Sequence, residues 1–312
     1  MLHYDEEFRR SMGPEWRRFV VASPLMVEWV MGLPAGWTAA EALSLAACLG
    51  VASVSAATSV AVAGVSAATG DRQKHRTLSL FSGCGALDFG LSHLCEPVAY
   101  CDACHAAAGV LRARQRDGAL RPGEIHTDVR NLNGADFRGK VDGIVAGFPC
   151  QDISFPGKKA GLRGERSSLV FEVLRLADEI GCWFIFIENV AHICKLPGVW
   201  QPLFDALGNR GFAIKWCVVE ASHAGAPQCR LRWFALARRG PASLQLSASP
   251  LPDGRVPDFE MRSGLHFNGG RPRPASWLLP KEDWARVAAR LNMLGNAVVP
   301  SQAALAAKLL SL

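Results

Sequence analysis

"LFSGCGALDFGL", residues Leu80–Leu91, decides how this chain folds. The apolar run Leu78–Phe81 reads as a short strand that enters a turn carrying Gly83 and Gly85, and a helical pattern follows. Glycines at such a turn let the backbone approach a ligand at the carboxyl edge of a sheet. Working outward, short apolar runs recur at Val98–Tyr100, Val141–Ala146, Phe184–Ile187, Ala213–Val219 and Trp233–Ala237. Helix-like stretches separate them. One is "SSLVFEVLRLADEI", with Leu169, Val173, Leu176, Ala177 and Ile180 at helical spacing and Ser167 or Ser168 as N-cap. This alternation predicts βαβ units and an α/β fold with a mostly parallel sheet.

Several strands end in groups that carry chemistry. Asp102 closes the second run, where an acid can accept hydrogen bonds from both hydroxyls of a ribose. Asp128, in "HTDVRNL", ends a third short element and could meet an adenine amino group. The order of glycine turn, acid and acid suggests a nucleoside-containing ligand. "GFPCQDISFP", Gly147–Pro156, then presents Cys150 just after a strand, where a thiolate nucleophile would need a positive or dipolar setting. "FIFIENV" places Glu188 behind four apolar residues, so a desolvated carboxyl protonated near neutral pH is expected. "QCRLRWFALA" sets Gln228, Arg230 and Arg232 at alternating positions, which a strand would point to one face. Two arginines on one face of an apolar strand are costly unless they meet anions or carbonyls.

Composition bounds the rest. The 312 residues suffice for one large domain, or one large and one small, with 49% apolar residues to build a core. A net charge of +6 is mild support for a polyanionic partner. The ten cysteines form no even framework, and the CxxC at Cys101–Cys104 has no second pair to complete a thiolate zinc site. A reduced, intracellular protein with no bound metal is expected. The charged start MLHYDEEFRR reads as no secretory leader. Leu43–Ala68 carries no charge but is mostly Ala, Ser, Val, Gly and Thr, so it reads as a linker or loose helix rather than a membrane span.

Taken together, the ordered blocks FSGCG (Phe81–Gly85), PCQ (Pro149–Gln151), ENV (Glu188–Val190), QCRLR (Gln228–Arg232) and GNAVVP (Gly295–Pro300) closely resemble the cytosine-C5 DNA methyltransferase family. The stretch after Cys150 also looks like that family's mobile catalytic loop and following helix. The resemblance implies a Rossmann-like methyltransferase fold, S-adenosylmethionine as cofactor and duplex DNA as partner. It implies a monomer with no membrane attachment, in the cytoplasm or nucleoid of a bacterium or virus, or in a eukaryotic nucleus. By motif match, Phe81, Gly83, Gly85, Leu87, Asp102, Asp128, Pro149, Asn296 and Val298 would hold the cofactor. Cys150 would be the nucleophile that attacks C6 of a flipped cytosine, and Glu188, Arg230 and Arg232 would complete the catalytic set. Gln151, Ser154 and Gln228 would contact substrate, and Lys158, Lys159, Arg163 and Arg166 are candidates for phosphate contacts as the loop closes.

The implied organisation is an N-terminal extension (1–76), a catalytic cofactor-binding domain (77–238), a short irregular target-recognition region (239–290) and a C-terminal block (291–312) that rejoins the catalytic domain. The recognition region is short for the family; Arg255, Arg262, Arg271 and Arg273 are its candidate DNA contacts. "SPLMVEWVMGLPAGWT" resembles a segment that the family usually carries before its last block, yet here it precedes the first strand. It is a permuted piece that folds back, the tail of a preceding unit, or an unrelated Trp-rich helix. Two rival functions remain. A tRNA cytosine methyltransferase usually carries a CFT tripeptide, absent here. A catalytically weak binding module usually loses the PCQ cysteine or the ENV glutamate, and both are present.

Overall fold

The computed structural model describes residues 19–22, 27–28, 30–34, 36–39, 73–149, 169–195, 197–226, 228–240, 278–280 and 284–312. Along the chain its strands are β1 (Phe19–Ala22), β2 (His75–Leu80), β3 (Cys95–Cys101), β4 (Glu124–His126), β5 (Gly143–Ala146), β6 (Phe184–Val190), β7 (Ala213–Glu220), β8 (Leu231–Arg238) and β9 (Leu278–Pro280). Its α-helices are α1 (Ala86–Leu91), α2 (His105–Arg116), α3 (Leu169–Ile180), α4 (Pro197–Gly208), α5 (Trp284–Asn296) and α6 (Pro300–Leu310).

Seven strands form the main sheet in the order β4-β3-β2-β5-β6-β8-β7. β4 through β6 pair in parallel, and β8 runs antiparallel to both β6 and β7. The predicted α/β class with a mostly parallel sheet is therefore what the chain adopts. The central strands β6 and β8 bury alternate residues into opposite layers, as the period of two requires. In β6, Phe184 and Phe186 enter one core cluster while Ile185 and Ile187 enter the other. In β8, Phe234 and Leu236 take the first side and Trp233, Ala235 and Ala237 the second. A sheet covered on both faces needs continuous apolar strands, which explains "FIFI" and "WFALA". Burying each large side chain of this kind contributes about 1.5–3 kcal/mol.

α3 spans the residues expected of it and buries Val173, Leu176, Ala177 and Ile180. α5 runs across position 290, so helix joins the end of the expected recognition region to the C-terminal block. α6 packs on α1: a Cβ built at Gly90 would lie 2.4 Å from the Pro300 carbonyl oxygen. β1 and β9, which are distant in sequence, pair antiparallel. Among the described residues no helix is long and apolar enough to cross a membrane. The uncharged stretch Leu43–Ala68, Ser167 and Ser168, and most of 239–290, including the candidate DNA contacts Arg255, Arg262, Arg271 and Arg273, lie outside the described residues.

Candidate active site

The carboxyl ends of β2, β3, β5 and β6 share one edge of the sheet, because these strands are parallel. β8 runs the other way, so its first residues arrive at that same edge. Val190 at the end of β6 lies opposite Arg232 near the start of β8. One antiparallel strand thus brings the last residue of ENV opposite the last residue of QCRLR.

The glycine turn after β2 is built from unusual backbone. Phe81, Gly83 and Gly85 have φ of 56°, 55° and 76°. A left-handed conformation is routine for glycine but an outlier for a bulky aromatic residue, and such strain concentrates at functional sites. Among the described residues a Cβ at Gly83 would meet nothing within 4 Å, so this turn borders open space there, whereas at Gly85 it would lie 2.5 Å from Leu120 Cδ1. Asp102 follows β3 directly. Its Oδ2 accepts from the Gly83 N–H at 2.7 Å and its Oδ1 from the Cys104 N–H at 2.8 Å. Those bonds lock the acid against the turn and leave each oxygen further acceptor capacity. Asp128 behaves differently. Its Oδ1 accepts from the Arg130 backbone N–H and Nε, both at 3.0 Å, and its Oδ2 from Nη2 at 3.1 Å. The Arg130 guanidinium and backbone N–H hold its carboxyl below the usual range, so Asp128 is already committed to a neighbour two residues away.

Glu188 ends the buried part of β6 and is only 8% exposed. Burial pushes its carboxyl up, against the opposing charges of Arg232 and Arg230. Arg232 Nε lies 2.9 Å from Glu188 Oε1. A Cβ at Gly147 would lie 3.3 Å from Glu188 Oε2 and 4.0 Å from both Leu87 Cδ2 and the Phe81 carbonyl oxygen. Phe81, Leu87, Gly147 and Glu188 therefore converge. Asn189, buried beside Glu188, donates from Nδ2 to the Phe148 carbonyl at 3.2 Å and so ties the ENV block to the residue preceding Pro149. Asn189 and Gly147 were not among the candidates from sequence. The Asn was visible within ENV, but its partner is a backbone carbonyl 41 residues away.

Gln228, Arg230 and Arg232 do not share a strand face as their spacing suggested, because β8 begins only at Leu231. Gln228 Nε2 donates at 3.3 Å to the Val30 carbonyl, toward the N-terminal segment. Arg230 Nη2 donates to the Gly295 and Ala297 carbonyls at 2.7 and 2.5 Å, which binds QCRLR to GNAVVP. Gln302 on α6 reinforces that junction by donating to the Val219 and Arg230 carbonyls, both at 2.7 Å. Val298 is buried in the core cluster beside Leu294 and Ala303, while Asn296 is exposed and bonds Asn292. Pro149 is half-buried; Cys150, Gln151, Ser154 and the basic residues after them lie outside the described residues. Among the described residues no group of His, Cys, Asp and Glu is placed to hold a metal ion.

The family model described as C-5 cytosine-specific DNA methylase matches residues 75–271. Type II methyltransferase M.CviJI of Paramecium bursaria Chlorella virus IL3A is 32% identical over 164 residues, which is 53% of this chain and 43% of that protein. Type II methyltransferase M.NgoFVII of Neisseria gonorrhoeae is 34% identical over 164 residues, or 51% and 42% of the two chains. The chain thus spans less than half the length of these relatives. Among solved structures, the S. pombe Dnmt2 methyltransferase is similar with TM-score 0.43 and 21% identity, covering 54% of this chain and 50% of that one. An E. coli DNA modification methyltransferase encoded within prophage Cp gives TM-score 0.44 and 24% identity, covering 56% and 49%.

Proposed function

The chain belongs to the C-5 cytosine-specific DNA methylase family, and from that premise we propose that it methylates C5 of cytosine in duplex DNA. One observation carries the reading furthest. A buried glutamate, its carboxyl pushed up by burial, is paired with an arginine at 2.9 Å on the sheet edge where Pro149 leads into Cys150.

The chemistry explains the residue types. Cytosine C5 is too weak a nucleophile to accept a methyl group unaided. In this reading the Cys150 thiolate adds to C6, which makes C5 nucleophilic. Negative charge then grows toward N3. A protonated Glu188 donates there, and Arg232 holds Glu188 in place while facing the base carbonyl. Arg230 acts at one remove, by fixing Gly295 and Ala297. Once C5 carries the methyl group, a base removes the C5 proton, and the electrons of that bond expel the Cys150 thiolate from C6. The reacting atoms are hidden in a duplex, so the target nucleotide is flipped out at a cost of a few kcal/mol.

S-adenosylmethionine, when bound, supplies an electrophilic methyl group. The glycine turn suits such a ligand: Gly83 borders open space, and Asp102 keeps acceptor capacity beside it. Phe81 and Leu87 lie beside Gly147, which adjoins Glu188. Asp128 would share its oxygens with Arg130 in order to meet an adenine. The net charge of +6 favours a polyanionic substrate.

The test is methylation of mixed-sequence duplex DNA from labelled S-adenosylmethionine, with 5-methylcytosine read by mass spectrometry beside Cys150→Ala. Product that vanishes in the variant supports the reading. Absence of product with cofactor binding intact overturns it in favour of an RNA substrate or a binding module.

A further inference from the structure

The N-terminal segment is built into the site. Trp37 is 1% exposed, and its Nε1 donates to the Cys84 carbonyl at 2.7 Å. Cys84 stands between Gly83 and Gly85, both left-handed, in the turn that borders open space. The indole ring packs 4.6 Å from the ring of Phe89 on α1. Arg114 on α2 clamps the other side, donating to the Gly36 and Trp37 carbonyls at 3.0 and 2.9 Å. Glu28, fully buried, folds the segment on itself by accepting from the Gly36 and Thr38 N–H groups at 2.7 and 2.8 Å. Arg290 on α5 completes the hub at 3.1 Å from Glu28 and 2.9 Å from the Thr38 hydroxyl. Gln228 reaches the same segment at Val30.

We propose that residues 27–28, 30–34 and 36–39 form a strap that positions the cofactor turn, with Trp37 as its positioning residue. This rests on the cofactor assignment made above. Two left-handed glycines flanking a single residue give a turn several accessible shapes. A hydrogen bond to the peptide carbonyl between them selects one. That bond is not interchangeable with apolar packing, because without it a buried carbonyl loses its partner. The strap contacts the turn, α2, the QCRLR block and α5, so it joins parts of the site that lie far apart in sequence. Of the three origins open to this segment, the contacts favour a permuted piece that folds back onto its own chain.

The experiment uses the full chain, binding of S-adenosylmethionine by calorimetry, and steady-state kinetics. Trp37→Phe removes the donor while keeping a ring against Phe89. Its dissociation constant and KM for S-adenosylmethionine should rise about tenfold, with kcat and the KM for DNA within about twofold of wild type. Arg114→Lys, which keeps the charge but has one nitrogen where the arginine uses Nη1 for the two carbonyls and Nη2 for Asp117, should give a smaller rise of about threefold. Cofactor affinity unchanged in both variants, with only the melting temperature lowered, would show that the strap merely packs and would overturn the proposal. Wild-type protein that fails to bind S-adenosylmethionine would instead sink the cofactor assignment, and the strap's role with it.

Discussion

Glu188 and Arg232 meet across β6 and β8 with Oε1 and Nε 2.9 Å apart, and burial raises the carboxyl in spite of the arginine. A raised pKa means that the protonated form persists toward neutral pH and is lost as pH rises through the shifted value. If Glu188 donates a proton during turnover, activity should fall on the alkaline side for that reason. Glu188→Gln preserves shape and a hydrogen-bond donor but cannot transfer a proton. It should lower kcat about 100- to 10,000-fold while cofactor affinity holds. Retention of wild-type kcat would remove Glu188 from the chemistry.

Arg232 lowers the Glu188 carboxyl, and lysine would do so less well because it lacks the planar fork. Arg232→Lys should therefore move the alkaline limb of the kcat profile to higher pH, besides lowering kcat at the optimum. A limb that stays fixed or shifts downward would mean that the two groups are not coupled in the working enzyme.

How much of this was legible depends on where each partner lies. The strand, glycine turn and helix over residues 78–91 could be read because their signals are local. Glu188 could be read as a desolvated carboxyl because it ends four apolar residues, and a catalytic role came only with the ordered blocks and the family they resemble. Its pairing with Arg232 could not, since nothing in the apolar pattern says that β8 runs antiparallel to β6. The alternating positions of Gln228, Arg230 and Arg232 suggested one face, but the strand starts after two of them, and their side chains diverge to Val30, Gly295 and Glu188. Asp128 had a local competitor, Arg130, that sequence spacing alone could have exposed. Trp37 was readable as part of an aromatic segment, but its partner carbonyl lies 47 residues on and belongs to backbone.

The turn offers a matched pair of substitutions. Gly83 and Gly85 are both left-handed, yet a Cβ at Gly83 meets open space while one at Gly85 falls 2.5 Å from Leu120 Cδ1. Alanine at either position adds backbone strain of about 1–3 kcal/mol. Gly85→Ala must also displace the buried Leu120 side chain. Denaturant unfolding should therefore rank Gly85→Ala below Gly83→Ala in stability, and both below wild type. The reverse order would place the crowding at the wrong residue.

Beneath the same turn, Asp88 is buried with Oδ2 accepting from the Ser79 hydroxyl at 2.9 Å, and Ser79 Oγ lies 2.8 Å from Ser82 Oγ. Its Oδ1 is buried with no hydrogen-bond partner. Burial pushes this carboxyl up to about 7, and the Ser79 hydrogen bond offsets only part of the rise. The sign follows from proton counting. Between the ordinary carboxylate value and about 7, the folded protein holds a proton here that the unfolded chain has released. Raising the pH through that window therefore costs stability, up to about 4 kcal/mol if the whole shift is realised. Asp88→Asn keeps the shape and cannot ionise. Melting temperatures at pH 5 and pH 8 should show the variant gaining on wild type as pH rises. His75 and His93, both held low by burial, titrate alike in the two proteins and cancel from the comparison. A difference between variant and wild type that is independent of pH would mean that Asp88 stays ionised beneath the turn.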